Sequence, residues 1–215
     1  MDINKTKAKL PLIAPRQLTQ VKFVRAYNTD VATLHGKDHF FDCTWSQQRG
    51  YRYNFSGTEP VLYLAADSTV ASTEIGPRTR ADILGPLKAK ASPYIYVTVE
   101  ATASVLDLSD KGIRRRLGIT LNDLLVPTDD WDSKMSAGVW SPTHEIGRLV
   151  AADARFDGIL YPPYPWRKLL QQQGKYNLAL FMDAASDGMA APRNSAVKLA
   201  VEDPQGVLKK LGLKL

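Results

Sequence analysis

The stretch Tyr51-Arg52-Tyr53-Asn54-Phe55-Ser56-Gly57-Thr58-Glu59-Pro60-Val61-Leu62-Tyr63-Leu64-Ala65-Ala66-Asp67-Ser68-Thr69-Val70-Ala71-Ser72-Thr73-Glu74-Ile75-Gly76 decides how the chain is read. The apolar run 61–65 is short, contains Tyr63 and follows a Gly-Thr-Glu-Pro turn signal, the pattern of a buried strand. Asp67 stands where a helix N-cap belongs, and Gly76-Pro77 stops the helix. On that helix Val70, Ala71 and Glu74 share one face, because residues three and four apart are neighbours. The face is apolar, so Glu74 points inward. An inward carboxylate needs a cation, a hydrogen-bonded polar site or a cleft. Arg52, on the loop before the strand, is the nearest cation candidate. A structural Glu–Arg pair would satisfy the same pattern without any chemistry.

Working outward, the 215 residues suffice for one sizeable domain with a core that needs neither disulfides nor metal. The single cysteine, Cys43, excludes an intramolecular disulfide framework and a cysteine-rich zinc site. His35, His39 and His144 lack a ligand spacing, so no metal is expected. The formal net charge of +6 is moderate and scattered, apart from Arg114-Arg115-Arg116. A nucleic-acid binder carries a denser basic stripe, so no nucleic-acid partner is expected, whereas an anionic small ligand suits a mildly basic pocket. No apolar run near the N-terminus is long enough for a signal peptide or a membrane span, which predicts a cytoplasmic protein without membrane contact.

Upstream, residues 1–20 read as a polar, proline-interrupted arm. Residues 21–27 alternate as a first strand, with Arg25 on the face of Val21 and Phe23. Residues 28–50 read as a loop or short helix with Phe40, Phe41 and Trp45, and 78–91 as a connector. Residues 93–100 and 103–108 read as two strands, followed by a helix to Leu117 whose final arginines complement the helix dipole. Thr120 opens one more helical turn. Ser141-Pro142 opens a helix running to about Arg155. Residues 159–161, 176–182 and 195–201 are further strands, 164–175 a basic loop, and Asp203-Pro204 caps a last short helix. This is an α+β domain with one main antiparallel core.

Six pieces in order carry a resemblance to a known family: the arginine-bearing first strand, Arg52-Tyr53-Asn54-Phe55, Pro60-Val61-Leu62-Tyr63-Leu64-Ala65 with Ala71-Ser72-Thr73-Glu74, Leu106-Asp107-Leu108, Phe156-Asp157-Gly158-Ile159-Leu160-Tyr161-Pro162, and Asn177-Leu178-Ala179-Leu180-Phe181. Over residues 21–183 the chain resembles the RES-domain family, NAD-consuming toxins of bacterial toxin–antitoxin pairs. The resemblance implies a single domain over 21–215 like the diphtheria-toxin-like ADP-ribosyltransferases, with two small twisted β-sheets and flanking helices around an NAD cleft. It implies NAD as substrate with no prosthetic group, a protein antitoxin as partner, and water, phosphate or a target protein as ADP-ribose acceptor. The residues carried over are Glu74 and Arg52 as catalytic groups, and Arg25, Arg52 and Tyr63 as substrate-binding groups. At Pro163 the chain departs from the family, where Tyr-Pro is followed by the serine of the family's name; a proline supplies neither hydroxyl nor N–H.

Those residue types suit the implied chemistry. Breaking the nicotinamide–ribose bond builds positive charge on the ribose, which a fixed carboxylate such as Glu74 stabilises. A pyrophosphate calls for planar, multi-donor cations such as Arg25 and Arg52. Tyr63 can stack on nicotinamide and hydrogen-bond through its hydroxyl. The alternative is a nucleotide-binding or interaction protein that keeps the fold and has lost the chemistry with the serine.

Overall fold

β3, Tyr94–Asp107, is the strand on which the others assemble. The structure, a computed structural model, describes residues 1–28, 41, 43–75, 94–125, 133–163, 174–184, 190–194 and 197–202. The readings at His35, His39, Phe40, Gly76-Pro77, 78–91, 164–173 and the terminal helix lie outside these residues. β3 runs unbroken where the sequence predicts two strands. Ala101 and Ala103 keep the parity of Ile95, Val97, Val99 and Val105, so one face stays buried along the whole strand. Small residues in the middle interrupt the apolar signal without interrupting the pleat.

β1, Arg16–Asn28, pairs antiparallel with β3 across its whole length, with a register shift between Leu18 and Val21 where Gln20 has φ 52°. The strand therefore begins five residues before the expected Val21. The other edge of β3 is shared. β7, Lys198–Glu202, takes residues 98–102 antiparallel, and β4, Gly158–Tyr161, takes 105–107 in parallel. β5, Asn177–Ala184, follows antiparallel to β4, and β2, Val61–Leu64, lies antiparallel to β5. β6, Ala190–Pro192, adds to β5. Beyond β2, Val24 and Ala65 exchange two N–H···O bonds of 2.8 Å and bring the path back to β1. The two small sheets expected from the resemblance are thus a β1–β3–β7 half and a β4–β5–β2 half, joined along β3–β4 into one sheet.

Strand parity separates two cores. Leu62, Leu64, Leu160, Leu178, Leu180 and Met182 meet Phe23, Tyr27, Val97, Val99 and Val105, so both halves contribute to the first. Val61, Ile159, Tyr161, Ala179 and Phe181 face the other way, onto a helical layer. That layer is built from α1 (Ile3–Lys9), the 3-10 turn Leu10–Leu12, α4 (Lys111–Leu117), α5 (Leu121–Leu124) and α6 (Pro142–Ala151), with α2 (Thr44–Arg49) and α3 (Ser68–Ile75) elsewhere along the chain. Residues 1–20, read as an arm, are packed: Leu10 and Ile13 lie in the helical core and Leu18 in the other, and the buried Thr6 hydroxyl donates to the Leu117 carbonyl at 3.1 Å. Fully burying such a leucine is worth about 1.5–3 kcal/mol.

The local signals hold at the helix starts. Asp110 caps α4, Thr120 and Asp123 form a capping box on α5, and Ser141 with His144 does so on α6, with Pro142 in the first turn. α6 ends at Ala151, short of the expected Arg155. Arg155 instead turns to Asp153 at 2.6 Å and to the carbonyls of Leu10, Pro11 and Ile13. The arginine cluster lies in the last turn of α4, as the dipole reading has it, but two of its side chains also reach carbonyls elsewhere. Arg114 folds back onto the Leu108 and Ser109 carbonyls, both at 2.7 Å, and Arg116 reaches the Leu12 carbonyl at 2.8 Å, so these side chains tie elements together.

Candidate active site

The loop 51–60 is held from three sides. Tyr51 N–H donates to the Asn54 carbonyl at 2.9 Å and closes a tight turn. The buried Asn54 carboxamide donates to the Ser46 carbonyl, and the Ser46 hydroxyl accepts from Val61 N–H at 2.9 Å, linking α2 to the start of β2. Across the turn the Tyr63 hydroxyl accepts from Tyr53 N–H and donates to Asn54 Oδ1, both at 2.9 Å. From α6, His144 Nδ1 accepts from Ser141 N–H at 3.2 Å, which leaves Nε2–H to donate to the Tyr51 carbonyl at 2.9 Å. Burial of this ring lowers its pKa from 6.5, so the neutral imidazole is favoured. One turn on, α6 lies so close to the loop that a Cβ on Gly147 would stand 1.8 Å from the Tyr53 carbonyl oxygen; only glycine fits there.

This clasp aims Arg52 inward. Its side chain is 9% exposed and donates to the Leu124 carbonyl at 2.6 Å, at the end of α5.

Glu74 comes from the other end of the stretch. Asp67 caps α3 as expected: its carboxylate accepts from Val70 N–H at 2.8 Å and its carbonyl from Ala71 N–H at 2.9 Å. Val70 and Ala71 pack with Ala65 on Val24 and Ala26 of β1. Glu74 is half-buried, and its Oε1 accepts from Asn177 Nδ2 at 2.8 Å. The Glu74 and Arg52 charges both act on Tyr53 and Tyr161. Each hydroxyl is pushed well above the ordinary tyrosine value, foremost by burial, with Glu74 raising it and Arg52 lowering it. The two rings pack at 4.8 Å. The Tyr53 hydroxyl is buried with no hydrogen-bond partner among the described residues.

Of the four residues singled out in the sequence, three adjoin the packed Tyr53–Tyr161 pair: Arg52 precedes Tyr53, Tyr63 accepts from Tyr53 N–H, and Glu74 is bonded by Asn177, which stands across from Tyr161. Arg25 lies on the opposite parity of β1 from Val24 and Ala26, the pair that α3 covers, and it stands across from Val97. The Tyr63 hydroxyl is engaged at both of its bonds within the loop, so what this residue offers a ligand is its half-buried ring, which leans on Tyr51 at 5.6 Å. Pro163 is buried two residues beyond the end of β4. Sequence reasoning missed Tyr53, Tyr161, His144 and Asn177. The available signal was a polar residue on the same strand parity as buried apolar ones, as Asn177 is with Ala179 and Phe181.

Two depressions open on the surface, the second of them beside Pro163 and Asn177. One of about 330 Å³ is lined by Lys9, Leu12, Ile13, Arg115 and Arg116; one of about 100 Å³ lies between Ser109, Arg114, Leu121, Pro162 and residues 174–176. Among the described residues no cluster of histidine, cysteine or acidic side chains could hold a metal, and no helix is long and apolar enough to cross a membrane.

Comparison with known proteins bears on this geometry. No curated protein matches the sequence. A chain in the crystal structure of the M. tuberculosis MbcT–MbcA toxin–antitoxin complex shares the fold, with a TM-score of 0.58 and 17% identity over 97% of this chain and 94% of that one. The RES domain model matches residues 28–202, a span that contains Arg52, Tyr63, Glu74, Tyr161 and Asn177. On that match across most of its length, the chain belongs to the RES-domain family.

Proposed function

We propose that the protein consumes NAD by cleaving its nicotinamide–ribose bond, and that it is the toxin of a toxin–antitoxin pair. The observation that carries this reading is the Glu74 carboxylate, held by a buried amide and sharing its surroundings with the Arg52 guanidinium and two buried tyrosines. Glu74 stabilises the positive charge that develops on the ribose, in a setting poorer in water than the bulk. Arg52 meets the pyrophosphate as a planar, multi-donor cation. The Tyr63 ring stacks on an aromatic base. A buried hydroxyl without a partner, such as that of Tyr53, is a group a ligand can satisfy. The ADP-ribose acceptor is water, phosphate or a target protein. Membership in the family and the toxin–antitoxin setting of the structural neighbour support a protein antitoxin and a cytoplasmic site of action.

A second reading has its own observation. Pro163 replaces the family serine and brings neither hydroxyl nor N–H to its buried position. The second reading is therefore a nucleotide-binding or interaction protein that keeps the site and has lost the chemistry. Purified protein incubated with NAD, with and without phosphate and cell extract, separates the two by chromatography of the products. Release of nicotinamide supports the enzyme. Binding of intact NAD by wild type, with cleavage only by Pro163→Ser, supports the second reading. Absence of both binding and cleavage sinks the enzyme and leaves only the interaction protein.

A further inference from the structure

We infer that Asn177 is the positioning residue for the Glu74 carboxylate; the inference rests on the catalytic role proposed for Glu74. Asn177 is the first residue of β5, directly across from Tyr161 of β4, and its side chain is 1% exposed. Its Nδ2 donates to Glu74 Oε1 at 2.8 Å and its Oδ1 accepts from Ala66 N–H at 3.2 Å. The Ala66 bond settles which way the amide points, since an N–H can meet the oxygen of the carboxamide and not its NH2 group. One side chain thereby ties both ends of α3 to β5: Ala66 just before the Asp67 cap, and Glu74 in the final turn. Lys175, two residues earlier, pairs with Asp67 and reinforces the same seam.

Few side chains can do this. The seat needs a donor toward a carboxylate and an acceptor toward a backbone N–H, in one flat group at short reach. Aspartate would set two carboxylates against each other, and glutamine is one methylene too long for a buried seat. The glutamate side chain has three rotatable bonds and sits half-exposed on a helix of only eight residues, so the strand has to supply the fixing that the helix cannot. Displacing a reacting group by about 1 Å costs on the order of 100-fold in rate.

The test is a double-mutant cycle on NAD cleavage. Asn177→Ala should lower kcat by about 10- to 100-fold with KM for NAD within about threefold, because the lost interaction serves the transition state. In a Glu74→Gln background the same change should cost less than about threefold, since partners in one interaction are non-additive. Asn177→Ser, a milder truncation, is read through the same cycle. Equal losses in both backgrounds would make Asn177 a purely structural residue and overturn the inference. So would wild-type kcat in Asn177→Ala beside an inactive Glu74→Gln, an outcome that leaves the proposed function standing. Wild-type turnover in Glu74→Gln would sink the proposed function itself. A reading that does not need turnover is the side-chain amide resonance of Asn177 between pH 3 and 8. The charged and titratable groups around the seat are Glu74, Arg52, Asp67 and Lys175, with the buried Tyr53, Tyr63 and Tyr161 beside them. The resonance should move with pH in the wild type and lose most of that movement in Glu74→Gln; an unchanged titration in the variant overturns the inference.

Discussion

The two faces of the β4–β5–β2 half are built from alternate residues of the same strands, yet they differ in kind. One face presents Leu62, Leu64, Leu160, Leu178, Leu180 and Met182 to the opposite half of the sheet. The other alternates Val61, Ile159, Ala179 and Phe181 with Tyr63, Tyr161 and Asn177, beneath a layer that also brings Arg52, Tyr53 and His144. The first face is stabilised by removing apolar surface from water. The second also buries polar groups, which cost free energy without a partner: Tyr63 bonds Tyr53 N–H and Asn54, His144 bonds the Tyr51 carbonyl and Asn177 bonds Glu74 and Ala66, while the Tyr53 hydroxyl has no partner among the described residues. Both faces are buried, but only the second sets polar side chains among its apolar ones, with one pleat separating the two.

Substitutions can sharpen or break that contrast. The largest effect belongs on the apolar face. Leu180→Ala should lose about 2–5 kcal/mol of unfolding free energy, read by urea denaturation, while the proposed NAD cleavage per folded molecule stays at the wild-type level. A large change in turnover per folded molecule would mean that the faces are not separable. Next, Glu74→Gln on the polar face should lower NAD cleavage by about 100- to 1,000-fold, with an unfolding midpoint close to wild type. Third, Tyr63→Phe leaves Tyr53 N–H and Asn54 Oδ1 without their partner and should cost about 1–3 kcal/mol. Its imprint on activity should be a weaker KM through the loosened Arg52 loop; unchanged stability would show that the clasp is not what holds the loop.

The smallest effect is a pH dependence. Burial lowers the His144 pKa below 6.5, so as pH falls past about 6.5 the unfolded chain takes up a proton that the folded one resists. The contribution is complete above that pH and is lost as pH falls through the folded value. Asp67, Asp123 and Asp153 have pKa values lowered from 3.8, so their contributions are present at neutral pH and disappear only in more acidic solution. Urea midpoints between pH 7.5 and 5 should therefore decline in the wild type and flatten in His144→Gln. Parallel declines in both proteins would count against the buried imidazole as the cause.

The candidate site was half legible in the sequence. Asp67 as cap, Glu74 on the inner face of α3 and Arg52 on the loop before β2 follow from spacing alone, since caps and helical faces are set within a few residues. Arg25 was placed on the right face of its strand, beside Phe23, but strand parity does not say which face the Glu74 helix will cover. The structure shows that α3 lies on Val24 and Ala26. The arginines of α4 matched a local rule, yet Arg114 and Arg116 turn to carbonyls at Leu108, Ser109 and Leu12. The helix dipole places a cation near the last turn but does not choose its partner, which a carbonyl within reach of the side chain does.

By itself, the sequence determined the α+β class, most of the elements, the order of motifs that marks the family, and the inward direction of Glu74. These rest on periods of two and 3.6 residues and on turn chemistry, which the chain carries locally. Only the tertiary structure decided that β3 is one strand with a divided edge, that Val24 and Ala65 return the sheet to β1, and that residues 1–20 pack into both cores. It alone joined Asn177 to Glu74 across 103 positions and Arg52 to Leu124 across 72. The reason is register: which polar groups meet is fixed by how strands from distant segments slide against one another, and a shift of one residue would turn Asn177 from the site into the apolar core.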